Sequence, residues 1–337
     1  MKRFLMVGSL LALAVAGQAH AVPNHASSVF TRAANSPAGH AAFDAPVVVT
    51  AGAETWRQTG MDIVPFYYEQ GMAAHADTDV VFSSRNSLTR TDAGCPAWEN
   101  LDGPCYQAAA ENSAPIPFDL MQRGFNHVGG IDIGPAASGA GAGMVFAPLE
   151  TDPPRSVRAF AVYDLATLER RSVLVEEIVH RYNSWVTVDP SARFMVTAED
   201  QWDPMRVYEI GAGLTLTRRS DLDVVGTNPA SLPNFQGCKF DGPTTMYCSN
   251  WSKRNSYFDV GTEVYRVDLS APIGTLGATA TSTLAFSFKV SGIAGQATSN
   301  VPYGLETEDL AFWGGELHVQ VRGEALGWVR ILHFARA

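Results

Sequence analysis

A chain of 337 residues that is 46% hydrophobic can bury a large core, either as two average domains or as one large all-β domain. Its formal charge of −10 opposes a phosphate-backbone partner and an anionic lipid surface, so no nucleic acid is expected. No segment beyond the N-terminus is long and apolar enough for a membrane span.

Residues 1–21 read as a secretory signal peptide. Lys2 and Arg3 precede a largely apolar run from Phe4 to Gly17, and Ala19-His20-Ala21 has the small-x-small form of a cleavage site. Residues 22–45, rich in Ala, Ser, Asn and Pro without periodicity, read as a flexible arm. A secreted or periplasmic location follows, and it sets the reading of the four cysteines. Cys95 with Cys105 and Cys238 with Cys248 are equally spaced and expected as disulfides. The second pair would meet across a hairpin turning near Pro243. Neither pair has the close-spaced partners that zinc needs.

From residue 46 to the C-terminus, β-rich runs alternate with Gly, Pro, Asn and Asp clusters, which predicts one β domain. A short β-branched strand covers 46–50. Three four-strand units follow: 128–133, 144–149, 158–163 and 171–176; then 185–188, 193–198, 205–210 and 214–218; then 236–240, 245–249, 262–268 and 282–290. A partial unit precedes them (80–84, 87–91 and a strand beyond Cys105), and another follows (309–313, 316–320 and 328–334). Repeats of four short antiparallel strands predict a five-bladed β-propeller. The last unit lacks a strand, and 46–50 is expected to supply it. An N-terminal strand would thus close the ring and remove its exposed edges.

Each unit opens on a similar run: His127-Val-Gly-Gly-Ile-Asp132, Ser184-Trp-Val-Thr-Val-Asp189, Gln236-Gly-Cys-Lys-Phe-Asp241, Glu308-Asp-Leu-Ala-Phe-Trp313, and a fainter copy at Gln70. Aligned on their last residue, Gln70, His127, Ser184, Gln236 and Glu308 begin the inner strands and should cluster at one channel mouth. Asn126, Asn183 and Glu306 lie just before these positions, Trp185 and Asp309 just after. His127 suits a proton carrier or metal ligand. Glu306 and Glu308 suit metal ligation or acid catalysis, and Ca²⁺ or another divalent cation fits such carboxylates. The remaining residues suit orientation of a ligand. The same polarity also serves strand termini and water, and that reading stays open. Asp132, Asp189 and Asp241 are read as hydrogen-bonding their own turns.

Asn126-His-Val-Gly-Gly-Ile-Asp132, followed by Phe146-Ala-Pro-Leu-Glu150, resembles a group of exported propeller proteins with an Asn-His-Ile-Gly-Asp-Ile-Asp segment before a Tyr-x-Pro-x-Glu strand. Phe82-Ser-Ser84, Leu88-Thr-Arg-Thr-Asp92 and Gln236-Gly237 belong to the same pattern, with Gly130 in place of the usual acid. This resemblance implies the fold and no settled activity. Glu69-Gln-Gly-Met72, Phe82-Ser-Ser84, Gly304-Leu-Glu306 and Leu310 are similar to segments of five-bladed glutaminyl cyclases, although the middle blades do not match. That likeness implies acyl transfer on N-terminal Gln peptides with a Glu as proton shuttle. Glu and Asn at blade starts are also similar to lactonase-type calcium propellers.

The leading expectation is an exported propeller that binds a small molecule, with or without a divalent metal, at a channel mouth. As an enzyme it would be a hydrolase or lyase, with His127 as base or ligand and Glu306 and Glu308 as ligands or acid. Two alternatives stand beside it: a glutaminyl-cyclase-like acyltransferase, and a non-catalytic scaffold for a protein, peptide or glycan. Oligomeric state has no signature in the sequence.

Overall fold

The structure is a computed structural model that describes residues 48–51, 53–65, 69–75, 79–92, 112–135, 139–151, 157–177, 185–198, 204–227, 235–251, 262–289, 305–323 and 328–337. Cys95, Cys105, Asn183 and Ser184 lie outside the described residues, as does the side chain of Glu306.

Two strands precede the first blade: β1 (Val48–Ala51) and β2 (Trp56–Pro65). Blade one is β3 (Gly71–His75), β4 (Asp79–Ser83), β5 (Ser87–Asp92) and β6 (Ser113–Pro115). A five-residue helix, α1 (Phe118–Gln122), leads to blade two. Its inner strand is split into β7 (His127–Val128) and β8 (Asp132–Ile133), followed by β9 (Met144–Glu150), β10 (Val157–Asp164) and β11 (Arg170–Glu177). Blade three is β12 (Thr187–Val188), β13 (Phe194–Thr197), β14 (Arg206–Ile210) and β15 (Leu216–Arg218). After β16 (Val225–Gly226), blade four is β17 (Phe235–Phe240), β18 (Thr245–Trp251), β19 (Thr262–Leu269) and β20 (Thr279–Lys289). Blade five is β21 (Leu305–Trp313), β22 (Glu316–Gly323), β23 (Trp328–Arg336) and β2.

The ring is closed by an N-terminal strand, but not the expected one. β2 pairs with β23 from Trp56↔Arg336 to Pro65↔Trp328, whereas β1 adds to the outer edge of blade four through Val48↔Lys289. Length decides this: β23 has nine residues, and the ten-residue β2 covers it where the four-residue β1 cannot. The Cys238–Cys248 disulfide forms, and its two residues are direct partners across β17 and β18.

Successive side chains of a strand point to opposite faces, so each blade is greasy on both sides. In β4, Val81 faces blade two while Val80 and Phe82 face blade five. Among the described residues each of the five seams holds an apolar cluster. The seam between blades five and one is the exception in kind. There β22 turns Glu316, His318, Gln320 and Arg322 away from the apolar Leu317, Val319 and Val321, which face blade four.

Two of the three turn aspartates act between blades instead of within a turn. Asp189 caps its own turn, accepting from the amides of Ser191, Arg193 and Phe194. Asp132 accepts from Thr187 Oγ1 at 2.9 Å and the Val188 amide at 2.8 Å, both in blade three. Asp241 pairs with Arg336 of blade five.

Candidate functional site

The inner strands approach one another closely because key positions lack side chains. A Cβ on Gly237 would lie 1.9 Å from Asp309 Oδ1, and one on Gly130 would lie 2.8 Å from the Gln236 carbonyl. Gly237 and Asp309 hold the same position in neighbouring copies of the repeated run, so the carboxylate fills the space that the glycine leaves.

Asp309 is fully buried. Its Oδ1 accepts from Lys239 Nζ at 2.9 Å and from the Leu310 amide, and its Oδ2 accepts from the Met72 amide at 3.1 Å. Burial pushes its pKa up to about 6 against the pull of Lys239 and these amides. Burial also raises that of Asp132, again opposed by Lys239. One cation therefore sits among two buried carboxylates contributed by three blades.

Above this group, where the inner strands end, lies a cavity of about 370 Å³. Asp132, Lys239 and His75 give it polar contacts, and Ile133, Phe240 and Phe312 are among its apolar walls. A few polar groups in an apolar concavity of this size is the usual make-up of a small-molecule site. Lys239 lies beyond the strand starts to which the repeated run points. Its signal was present: the fourth position of the run reads Gly130, Thr187, Lys239 and Ala311, and a lysine there is out of keeping.

The starts of the inner strands form a second polar group. His127 Nε2 hydrogen-bonds Gln70 Oε1 from blade one, and His127 Nδ1 lies 3.6 Å from Oε1 of Glu150, its direct partner across β7 and β9. The imidazole is half-buried, whereas Gln70 and Glu150 are buried. Nearby, Glu69 meets Arg322 at 3.3 Å and Arg85 at 3.6 Å, and Arg322 meets Glu308 at 3.6 Å. Burial raises the pKa of Glu69, and the two arginines counter it. The described part of the expected metal set thus offers a carboxylate facing a guanidinium and an imidazole between a carboxamide and a carboxylate.

The structure brings Gln70 and His127 together and places Glu308 one arginine away from Glu69. Asn126 is exposed, and its amide bonds the Glu150 carbonyl. Gln236 is half-buried. Trp185 is 1% exposed and packs in the seam between blades three and four. Glu69, Glu150 and Arg322 were not singled out. The Arg322 partnership depends on the pairing of blades five and one, which no local pattern encodes.

The chain is a five-bladed β-propeller. It matches no protein-family model and no curated protein by sequence. Among solved structures it is similar to a luciferin-regenerating enzyme at 10% identity and TM-score 0.48, over 82% of this chain and 95% of that one. It is similar to a β-propeller domain from Myceliophteria thermophila at 9% identity and TM-score 0.35, over 78% and 82% of the two chains. A functionally unknown protein from Desulfotomaculum acetoxidans gives 14% identity and TM-score 0.39, over 80% and 68%. Among the described residues no helix is long and apolar enough to cross a membrane.

Proposed function

We propose that this propeller is an exported protein that binds a small molecule in the cavity where the inner strands end. The observation that carries the proposal is the polar part of the cavity lining, where Asp132 and Lys239 stand among apolar walls and Lys239 is paired with Asp309, buried outside the lining. With Lys239 already paired to Asp309, the Asp132 carboxylate at the wall favours a ligand with an apolar body and an amine or other hydrogen-bond-donating head. The Cys238–Cys248 disulfide and the leader-like N-terminus support an oxidising compartment.

The test uses 2-phenylethylamine, 2-phenylethanol and 3-phenylpropanoate as probes, with binding read by ligand-observed NMR and thermal shift. The amine should bind at least ~10-fold more tightly than the acid, since each ~1.4 kcal/mol is a factor of ten. Ala74→Phe, which places a ring at the cavity wall, should abolish binding. Absence of binding by all three probes, or binding that Ala74→Phe leaves intact, overturns the proposal.

A second reading is favoured by the His127 geometry. An imidazole at a channel mouth, oriented by Gln70 on one nitrogen and Glu150 near the other, is arranged as a proton carrier for hydrolase or lyase chemistry. Turnover of a panel of lactones and p-nitrophenyl esters, lost in a folded His127→Ala variant, would support it. Ammonia release from an N-terminal Gln peptide would instead point to acyl transfer of the glutaminyl-cyclase kind. Absence of both activities ends this reading.

A further inference from the structure

The polar face of β22, in the seam between blades five and one, holds a cluster of three residues that are not among those lining the cavity. Glu316 and His318 lie two residues apart on β22 and so share a face. His333 on β23 is the direct cross-strand partner of His318, with ring centroids 4.4 Å apart. One ligand atom from each of Glu316, His318 and His333 falls within 4.8 Å of the other two.

Three features hold these side chains in place. The Trp313 ring stacks on His318 at 3.3 Å with an interplanar angle of 7°. Trp313 is itself fixed by the tight Gly314–Gly315 turn, whose residues have φ of 59° and 75° and which brings Trp313 opposite Glu316. A face-on stack fixes the plane of the imidazole, and its nitrogen lone pairs lie in that plane. Third, the residue opposite His333 on β2 is Gly60, placed by a bulge after Gln58 and held by a Gln58 Nε2 donation to the Gly60 carbonyl at 3.2 Å. A Cβ on Gly60 would lie 2.9 Å from His333 Nδ1. A glycine at this bulge therefore leaves room for the His333 ring, and bulges often re-aim side chains at functional sites.

The exposure of the three groups is graded. His318 is 1% exposed, His333 7%, and Glu316 is half-buried at the hairpin edge. Two buried imidazoles and a half-buried carboxylate are thus brought together in this seam, beside Met72, Val80, Phe82 and Ile331. Imidazole nitrogen with carboxylate oxygen is a donor set that suits a divalent transition ion.

We propose that Glu316, His318 and His333 form a binding site for a divalent transition-metal ion of the zinc class, with a coordination position left for water on the Glu316 side. Bonds of about 2.0–2.1 Å hold ligand atoms within about 4 Å of one another, so the set contracts slightly on loading. Two imidazoles and one carboxylate leave a fourth position open, which distinguishes an exchangeable site from a closed structural one. The ion cross-braces β22 and β23 and supplies a Lewis acid at the edge of the blade.

The test titrates the untagged, chelator-treated protein with Zn²⁺ by calorimetry and with Co²⁺ by visible absorption. Wild type should bind one equivalent at micromolar or lower Kd, gain thermal stability, and show Co²⁺ ligand-field bands. His333→Ala should weaken binding at least ~100-fold. Gly60→Ala, by displacing the His333 ring, and Glu316→Gln should each weaken it at least ~10-fold, as for groups that ligate or orient ligands. Glu316→Gln sits at the hairpin edge and should stay folded if His333→Ala does not. Absence of saturable binding to wild type overturns the proposal. So does wild-type affinity in both Gly60→Ala and Glu316→Gln.

Discussion

Lys239 and Asp309 meet between the inner strands of blades four and five, Nζ to Oδ1 at 2.9 Å, with side chains 6% and 0% exposed. Asp132 of blade two also feels the Lys239 charge. Charge thus joins three blades beside positions 130 and 237, where the neighbouring strand leaves no room for a Cβ. A buried pair is a weak source of net stability but is costly to break, because the surviving charge stays in a low-dielectric site.

Lys239→Met should therefore cost about 3–5 kcal/mol. Lys239→Met with Asp309→Leu should cost less than the sum of the single changes, because the second substitution removes the stranded charge. Urea unfolding of the four proteins in the cycle checks this. Additive costs would show that the two side chains are energetically independent.

The same pair gives a pH prediction. The folded pKa of Asp309, about 6, lies above its ordinary value of 3.8. The folded state then binds this proton more tightly than the unfolded state. Its contribution to stability is full below pH 3.8 and is lost as pH rises through 6. The advantage of wild type over Asp309→Asn should be larger at pH 4 than at pH 7.5. A wild-type advantage that grows with pH would mean that pairing with Lys239 outweighs burial.

Asp132 offers a test of the ties between blades. Its carboxylate receives Thr187 Oγ1 and the Val188 amide from the next blade, as well as its neighbour's Ile133 amide. Asp132→Ala should cost about 2–3 kcal/mol by stranding buried donors, and Thr187→Val about 1 kcal/mol. The two should couple in a double-mutant cycle. Asp189→Ala, which strips amides within one turn, should show no coupling to Thr187→Val.

The disulfide closes a hairpin with a separation of 10 residues. A short loop restricts the unfolded chain modestly, so replacing both Cys238 and Cys248 with Ala should cost about 2–3 kcal/mol. A cost near zero would show that cross-strand packing with Met246 and Phe235 suffices to hold this hairpin in register.

The blade pattern was legible because it is local. Each unit carries its own alternation and turns, and the strand boundaries at Val157–Asp164 or Thr245–Trp251 follow from residues close in sequence. Contacts between blades were not legible. Asp132, Asp189 and Asp241 look alike in the aligned runs, yet only Asp189 caps its own turn. Their partners are set by how neighbouring blades pack. The clustering of Glu316 and His318 with His333 likewise needs the β22–β23 register, and its fit to Gly60 needs the ring to close. The run 46–50 drew attention through its β-branched residues, whereas Trp56-Arg-Gln-Thr-Gly60 shows little alternation. The longer segment still won, because its partner β23 required the length.

That closure makes the last prediction. Removing residues 1–52 takes away β1, an edge strand joined to β20 through four pairs. The remaining ring keeps every inner strand and both faces of blade five, so the truncated protein should unfold cooperatively with a slightly lower Tm. Removing residues 1–66 also takes away β2. It exposes the edge of β23 and empties the place of Trp56, which is 5% exposed and packs 5.5 Å from Tyr247 and 5.4 Å from Phe286. Loss of so large a buried ring alone costs about 3–5 kcal/mol, and an unpaired strand edge invites association. This second protein should lose cooperative unfolding and aggregate, as read by thermal melts and light scattering. Trp56→Ala in the full chain should give an intermediate result, folded but destabilised. Equal behaviour of the two truncations would mean that β2 is dispensable and that the fifth blade stands on three strands.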